Sequence, residues 1–218
     1  SRQEKASVVI NLGMVIAQAG SKVLLVDADL RQPQLHQVFG LAQEPGLSTL
    51  LAETGNDQAY IAETNIPNLH LLPAGSTSPD PLKLLSSPRM AWLIEKLKGQ
   101  ANIILFNISP ILTAADAVVL AAQVDGTILV IESRSTGRQS AIQALTMLRN
   151  VEADVLGVVL TGVRVRSSGY HYYSDFSKPE KPPQALLYRN HNGLVQAGES
   201  ILPTSRLVSE PLDSSNRF

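Results

Sequence analysis

The run from Val23 to Pro33 is the feature that most constrains how this chain can fold. Val23 to Val26 are four consecutive apolar residues, which predicts a strand buried on both faces, as in a parallel sheet covered by helices. Asp27 and Asp29 follow where that strand should end, and both side chains point to the same side if strand geometry persists. Because ligands of open α/β sheets bind at the carboxyl ends of the strands, the pair predicts a binding site. Asp is also common at strand ends as a cap or turn former, and this structural interpretation stays open.

Further apolar runs along the chain predict its fold class. The predicted strands cover residues 23–27, 68–75, 103–106, 127–131 and 155–160. The predicted helices cover residues 5–19, 82–98, 114–122 and 136–150, with shorter helices or turns at 33–41 and 47–53. Alternating strands and helices indicate βαβ units with right-handed crossovers. We therefore predict an α/β fold, a mostly parallel sheet flanked by helices.

The composition changes towards the carboxyl end of the chain. With 218 residues, 44% of them hydrophobic, the chain can bury one core. After about residue 165, Ser, Gly, Pro and Tyr dominate and hydrophobic periodicity is lost, which is typical of disordered segments. We predict one domain over residues 1–165 and a largely disordered tail over residues 166–218.

Several classes of protein are disfavoured by composition. The net charge of −1 gives no electrostatic footprint for nucleic acid. The chain has no cysteine, which excludes disulfides and cysteine-ligated zinc, and its four histidines lack metal-ligand spacing. No apolar run reaches the roughly 18–20 residues of a membrane-spanning helix. The chain opens without Met or a signal peptide, so we expect a fragment or a processed chain.

The first residues are similar to the end of a phosphate-binding loop. Such a loop has the form G-x-x-x-x-G-K-[ST], in which Lys reaches the phosphates and the hydroxyl binds Mg²⁺. Here Glu4 stands at the second glycine, Lys5 at the lysine and Ala6 at the hydroxyl position, with Ser7 one residue late. An ordinary lysine at a helix start is the alternative interpretation.

Two other places in the sequence bear on function. Asn107 ends the 103–106 strand, where a P-loop protein carries an acidic residue for Mg²⁺, and Asp116 is expected to cap a helix. Tyr170, Tyr172 and Tyr173 cluster in the predicted tail, which favours a docking or modification site over buried aromatic packing. Chance clustering is the alternative.

Taken together, these motifs resemble the bacterial tyrosine autokinases (BY-kinases) of capsule and exopolysaccharide export, P-loop relatives of the MinD/ParA ATPases. The likeness runs from about residue 3 to residue 175, and Val26-Asp27-Ala28-Asp29-Leu30-Arg31-Gln32-Pro33 is similar to the family's second Walker motif. The resemblance implies that Lys5, Asp27 and Asp29 are catalytic and that Asp27 and Asp29 bind the metal. It implies nucleotide-binding positions at Lys5, Ser7, Asn107 and Thr161, and autophosphorylation at the tyrosine cluster.

The resemblance also implies a setting for the protein. ATP and Mg²⁺ would be the cofactors, and the domain would act in the cytoplasm at the inner face of the plasma membrane. It would self-associate and work with a membrane regulator of polysaccharide chain length and with a phosphotyrosine phosphatase. The departures at Glu4, Ala6 and Asn107 predict weakened or lost activity. Three functions stay open: an autokinase domain, a non-catalytic pseudokinase scaffold, and a MinD/ParA-like ATPase.

Overall fold

The computed structural model describes residues 2–52 and 60–163 of the chain. The predicted tail and its tyrosine cluster lie outside these residues. The helices are α1 (Arg2–Gln18), α2 (Leu35–Phe39), α3 (Leu47–Ala52), α4 (Pro81–Leu85), α5 (Pro88–Lys98), α6 (Asp116–Ala121) and α7 (Arg138–Asn150). The strands are β1 (Val23–Asp27), β2 (Ala62–Glu63), β3 (Leu69–Leu72), β4 (Ile103–Asn107), β5 (Thr127–Glu132) and β6 (Val155–Thr161). No helix within the described ranges combines the length and the apolar character needed to span a bilayer.

The strands form two sheets that are almost entirely parallel. The first has the order β2-β3-β1-β4, in which β1 runs parallel to both β3 and β4 and the short β2 is antiparallel. The second consists of β5 and β6, also parallel. The predicted α/β architecture with a mostly parallel sheet is confirmed.

Side chains of β1 alternate between two hydrophobic cores, as the geometry of a strand requires. Val23 and Leu25 pack in a core with Ile10 of α1, while Leu24 and Val26 pack in a second core with Leu93 of α5. These four apolar residues of β1 are 0–1% exposed. Burial on both faces explains why this run of the sequence contains no polar residue before Asp27.

A long groove separates β4 from β5. Among the described residues, β4 pairs with β1 alone and β5 with β6 alone, so each strand has one edge without a partner strand. Both strands line the groove, which has a volume of about 830 Å³, together with residues of α1 such as Val8 and of α7 such as Ala144. Ile103 and Ile128 are therefore 36% and 40% exposed. These two strands are less buried than β1, because neither sheet continues across the groove.

The segment predicted as one helix over residues 82–98 is two helices. Ser86 and Ser87 interrupt it, and the Ser87 hydroxyl accepts a hydrogen bond from the backbone N–H of Met90, which caps the second helix. Pro88 occupies the first turn of that helix, where its missing N–H costs no hydrogen bond. The amphipathic pattern continues through both helices, but Ser87 and Pro88 together are a helix start signal within it.

Candidate functional site

The candidate site lies where β1 and β4 end. The parallel register pairs Asp27 with Asn107, and the backbone N–H of Ala28 continues the ladder by donating to the Asn107 carbonyl at 2.7 Å. Asp29 and Ser109 lie two residues beyond the ends of β1 and β4, and their side chains are in contact. Lys5 reaches the same place from the first turn of α1. The structure thus brings together five residues from three parts of the chain that are far apart in sequence.

Asp27 is fully buried and its carboxylate accepts four hydrogen bonds. Oδ1 accepts from Nδ2 of Asn107 at 2.9 Å and from the backbone N–H of Asp29 at 3.4 Å. Oδ2 accepts from the backbone N–H groups of Gln34 and Leu35, each at 2.9 Å. Since every one of these partners is a donor, the geometry suits an ionised carboxylate.

Burial and hydrogen bonding act on the titration of Asp27 in opposite directions. Loss of solvent raises the pKa of Asp27 above 3.8, while the hydrogen bonds from Leu35, Asn107, Gln34 and Asp29 lower it. Burial is the larger effect because it disfavours the charge itself.

Asp29 is held by a different set of partners. Its Oδ1 accepts from the Ser109 hydroxyl at 2.8 Å and from the backbone N–H of Gln32 at 3.2 Å. Its Oδ2 lies 3.5 Å from the Lys5 ammonium, which also donates to the Ile108 carbonyl. Asp29 is 2% exposed and the Lys5 side chain 19% exposed. Lys5 therefore brings a positive charge to this end of the sheet.

Arg31 connects the turn after β1 to α6. Its guanidinium donates to both carboxylate oxygens of Asp116, from Nε to Oδ2 at 2.8 Å and from Nη2 to Oδ1 at 3.2 Å. Asp116 was expected to be a helix cap, but α6 begins at this residue, and Ala115 at the cap position makes no side-chain cap bond. Asp116 is instead the buried partner of an ion pair with Arg31.

The remaining predicted site residues are Ser7, Thr161 and the tyrosine cluster. Ser7 is exposed on α1. Thr161 ends β6 and its hydroxyl lies 3.5 Å from the Ile131 carbonyl, at the wall of the groove. Tyr170, Tyr172 and Tyr173 fall outside the described residues. Ser109 was missed, although its position two residues after Asn107 mirrors that of Asp29 after Asp27.

As arranged, these residues do not fit a Mg²⁺ ion shared by Asp27 and Asp29. Mg²⁺ requires near-octahedral oxygen ligands, and each carboxylate oxygen offers about two lone-pair positions. Both oxygens of Asp27 already accept two hydrogen bonds each. Asn107 supplies an amide rather than a charge, and no cluster of three or more His, Asp or Glu side chains suited to a metal occurs in residues 2–52 and 60–163.

Comparison with known proteins places this geometry in a family. The family model described as an AAA domain matches residues 3–156. The tyrosine-protein kinase YwqD of Bacillus subtilis is 35% identical over 170 residues, which cover 78% of this chain and 72% of that protein.

Solved structures agree with the sequence relatives. The kinase domain of the Escherichia coli tyrosine kinase ETK has 30% identity and a TM-score of 0.68, over 74% of this chain and 65% of that one. The cell-division ATPase MinD of Pyrococcus furiosus, at 24% identity and a TM-score of 0.60 over 72% and 65%, shares the fold. The chain belongs to the bacterial tyrosine-protein kinases, a P-loop family of the AAA-domain class.

Proposed function

We propose that this chain is a tyrosine-kinase domain of the machinery for exopolysaccharide or capsule synthesis and export, with weakened phosphoryl transfer. The single observation that carries this proposal is the contact between Asn107 and Asp27. The resemblance implies that family members have an acidic metal ligand where this chain has Asn107. Here the Asn107 amide donates to the neighbouring carboxylate instead. Phosphoryl transfer depends mostly on positioning and electrostatics, so this exchange lowers its rate.

Lys5 has the part of the phosphate-binding residue in this proposal. Its ammonium lies between Asp29 and the Ile108 carbonyl, so a triphosphate would compete with these groups for the same charge. Glu4 is the acidic residue that directly precedes Lys5 in the sequence, and Ala6 provides no hydroxyl. We therefore expect ATP to bind through Lys5, but weakly.

The acceptors and partners follow from the family. Tyr170, Tyr172 and Tyr173 would receive the phosphoryl group in trans from a neighbouring subunit. The domain would self-associate at the inner face of the plasma membrane beside a regulator of polysaccharide chain length, and a phosphotyrosine phosphatase would reverse the modification. Membership of the tyrosine-kinase family supports these roles.

A non-catalytic scaffold is the second candidate function. It is favoured by the same saturated Asp27, because a carboxylate with four donors around it has no lone pair left for the reacting groups. In that case the fold would serve to bind partners in the export machinery.

Calorimetric titration of ATP and ADP, with and without Mg²⁺, tests the proposal. We expect measurable but weak binding that is lost in Lys5→Met and kept in Lys22→Met, a matched change at an exposed lysine before β1. Phosphotyrosine formation, measured beside YwqD, should be slower and should disappear when Tyr170, Tyr172 and Tyr173 are all changed to Phe. A rate equal to that of YwqD would contradict weakened transfer, and no binding at millimolar nucleotide would favour the scaffold.

A further inference from the structure

The amide of Asn107 lies against a buried carboxylate at the centre of the site. Asn107 is 3% exposed and Asp27 is 0% exposed, and the two side chains meet at the paired ends of β4 and β1. We propose that Asn107 is a positioning residue that fixes Asp27 as the structural anchor of the turn into α2, so that this end of the sheet is assembled without a metal ion.

Asp27 performs for α2 the task that a helix cap performs elsewhere. The residue at the cap position, Gln34, makes no side-chain cap bond. The first backbone N–H groups of this helix, those of Gln34 and Leu35, donate to Oδ2 of Asp27 instead. A helix start whose N–H groups are buried needs such an acceptor. The anchor therefore fixes both ends of the turn that carries Asp29 and Arg31.

Asn107 suits this task through the donor of its amide, while its Oδ1 is buried without a hydrogen-bond partner among the described residues. Its Nδ2 donates to Oδ1 of Asp27 at 2.9 Å, so the ionised carboxylate meets the positive end of a dipole. An aspartate in its place would bring a second carboxylate to the same distance, and two buried like charges need a proton or a cation between them. With the amide, neither is required.

Thermal melts of four proteins in nucleotide-free buffer, each with and without Mg²⁺, test this inference. The four are the wild type, Asn107→Asp, the swapped double variant Asp27→Asn/Asn107→Asp, and Asn11→Asp as a control at an exposed position of α1. In the swapped variant the amide at position 27 can donate to the carboxylate at position 107, while its carbonyl oxygen still accepts from the N–H groups of α2.

Each of the four proteins has its own expected Tm and its own expected response to Mg²⁺. The wild type and Asn11→Asp show the same Tm with and without Mg²⁺. Asn107→Asp melts about 5 °C lower without Mg²⁺ and recovers when Mg²⁺ is added. The swapped variant melts above Asn107→Asp in Mg²⁺-free buffer, which would not be expected if position 107 acted independently of position 27.

Three results would overturn the inference: a wild-type Tm that rises with Mg²⁺ alone, an Asn107→Asp variant as stable as the wild type without Mg²⁺, or a swapped variant less stable than Asn107→Asp. The comparison of wild-type melts with and without Mg²⁺ gives an answer even if Asn107→Asp does not fold. Because no nucleotide is present, this inference and the proposed function can fail separately.

Discussion

Arg31 and Asp116 lie 85 residues apart in sequence and form a two-point ion pair between the turn after β1 and the first residue of α6. The two partners are unequally exposed, because the Asp116 side chain is 1% exposed and that of Arg31 is 44% exposed. The hydrogen bond from Arg31 to Asp116 raises the pKa of Arg31. The pair connects the turn after β1 to α6, whose Leu120 belongs to the second core.

Unequal exposure predicts unequal effects of the two single substitutions. Arg31→Met leaves a buried carboxylate without its cation, whereas Asp116→Asn leaves a guanidinium that water can solvate. We expect Arg31→Met to lower the Tm about twice as much as Asp116→Asn. Lys98→Met, which removes an exposed pair with Glu95, is the control and should leave the Tm nearly unchanged. Equal shifts for Arg31→Met and Asp116→Asn would contradict the argument.

His36 predicts a pH dependence of stability. It is 9% exposed on α2, and its Nδ1 has no hydrogen-bond partner in the described part of the chain. Burial lowers the pKa of His36 below 6.5, and the charge of Asp27 opposes this shift. A histidine with a lowered folded-state pKa contributes stability at pH values above 6.5, and this stability is lost as the pH falls, because the unfolded chain binds the proton first.

Denaturant unfolding at pH 7.5 and pH 5.5 measures this effect. We expect the wild type to lose more stability than His36→Leu over this interval. The contribution of Asp27 to stability changes in the opposite direction. Because its pKa is raised in the folded state, the folded state binds the proton first as the pH falls towards 3.8. The difference between the two proteins isolates His36, because Asp27 is present in both. If the two proteins lose the same stability, His36 does not titrate as argued.

Restoring the phosphate loop should strengthen nucleotide binding. Glu4→Gly/Ala6→Ser removes a negative charge and a Cβ next to Lys5 and supplies the missing hydroxyl. We expect the Kd for ADP, measured by calorimetry, to fall at least about tenfold, or roughly 1.4 kcal/mol. Glu95→Gly, at an exposed glutamate of α5, is the control for loss of charge within a helix. An unchanged Kd would show that these two positions do not limit binding.

The groove between β4 and β5 should accept an engineered strand. Lys5 contacts the Ile108 carbonyl, so α1 begins at the carboxyl end of β4, and a strand fused directly before α1 would run parallel to β4 and β5. Five β-branched residues there should pair with both strand edges and raise the Tm by about 10 °C. A fused Gly/Ser segment of equal length is the control, and equal melting of the two fusions would contradict this prediction.

Local patterns were sufficient to predict most of the architecture. The four apolar residues of β1 are buried on both faces, as their sequence indicates, and β1 pairs in parallel with β3 and β4. The meeting of Lys5 with Asp29 could be anticipated from two motifs that each end or begin at the same edge of a parallel sheet. The helices and strands follow from local hydrophobic periodicity, and the shared edge of a parallel sheet follows from their alternation.

Features that depend on distant pairing could not be predicted in the same way. The role of Asp27 as the cap of α2 depends on a turn seven residues long, and the Arg31–Asp116 pair depends on how α6 is placed against that turn. Ser109 could have been found from the sequence, because it follows Asn107 at the same spacing at which Asp29 follows Asp27. The exposure of Ile103 and Ile128 depends on the groove, which no window of residues reveals.

The position of the groove has a thermodynamic consequence. Lys5, Asn107 and Ser109 all line it, so a strand that filled it would end beside the same groups that a nucleotide would contact. Two ligands that contact the same groups can change each other's affinity. If the strand changes the affinity for nucleotide by some factor, nucleotide changes the affinity for the strand by the same factor. Binding of a strand in the groove and binding of a nucleotide at the site would then be coupled, and the coupling could be measured from either ligand.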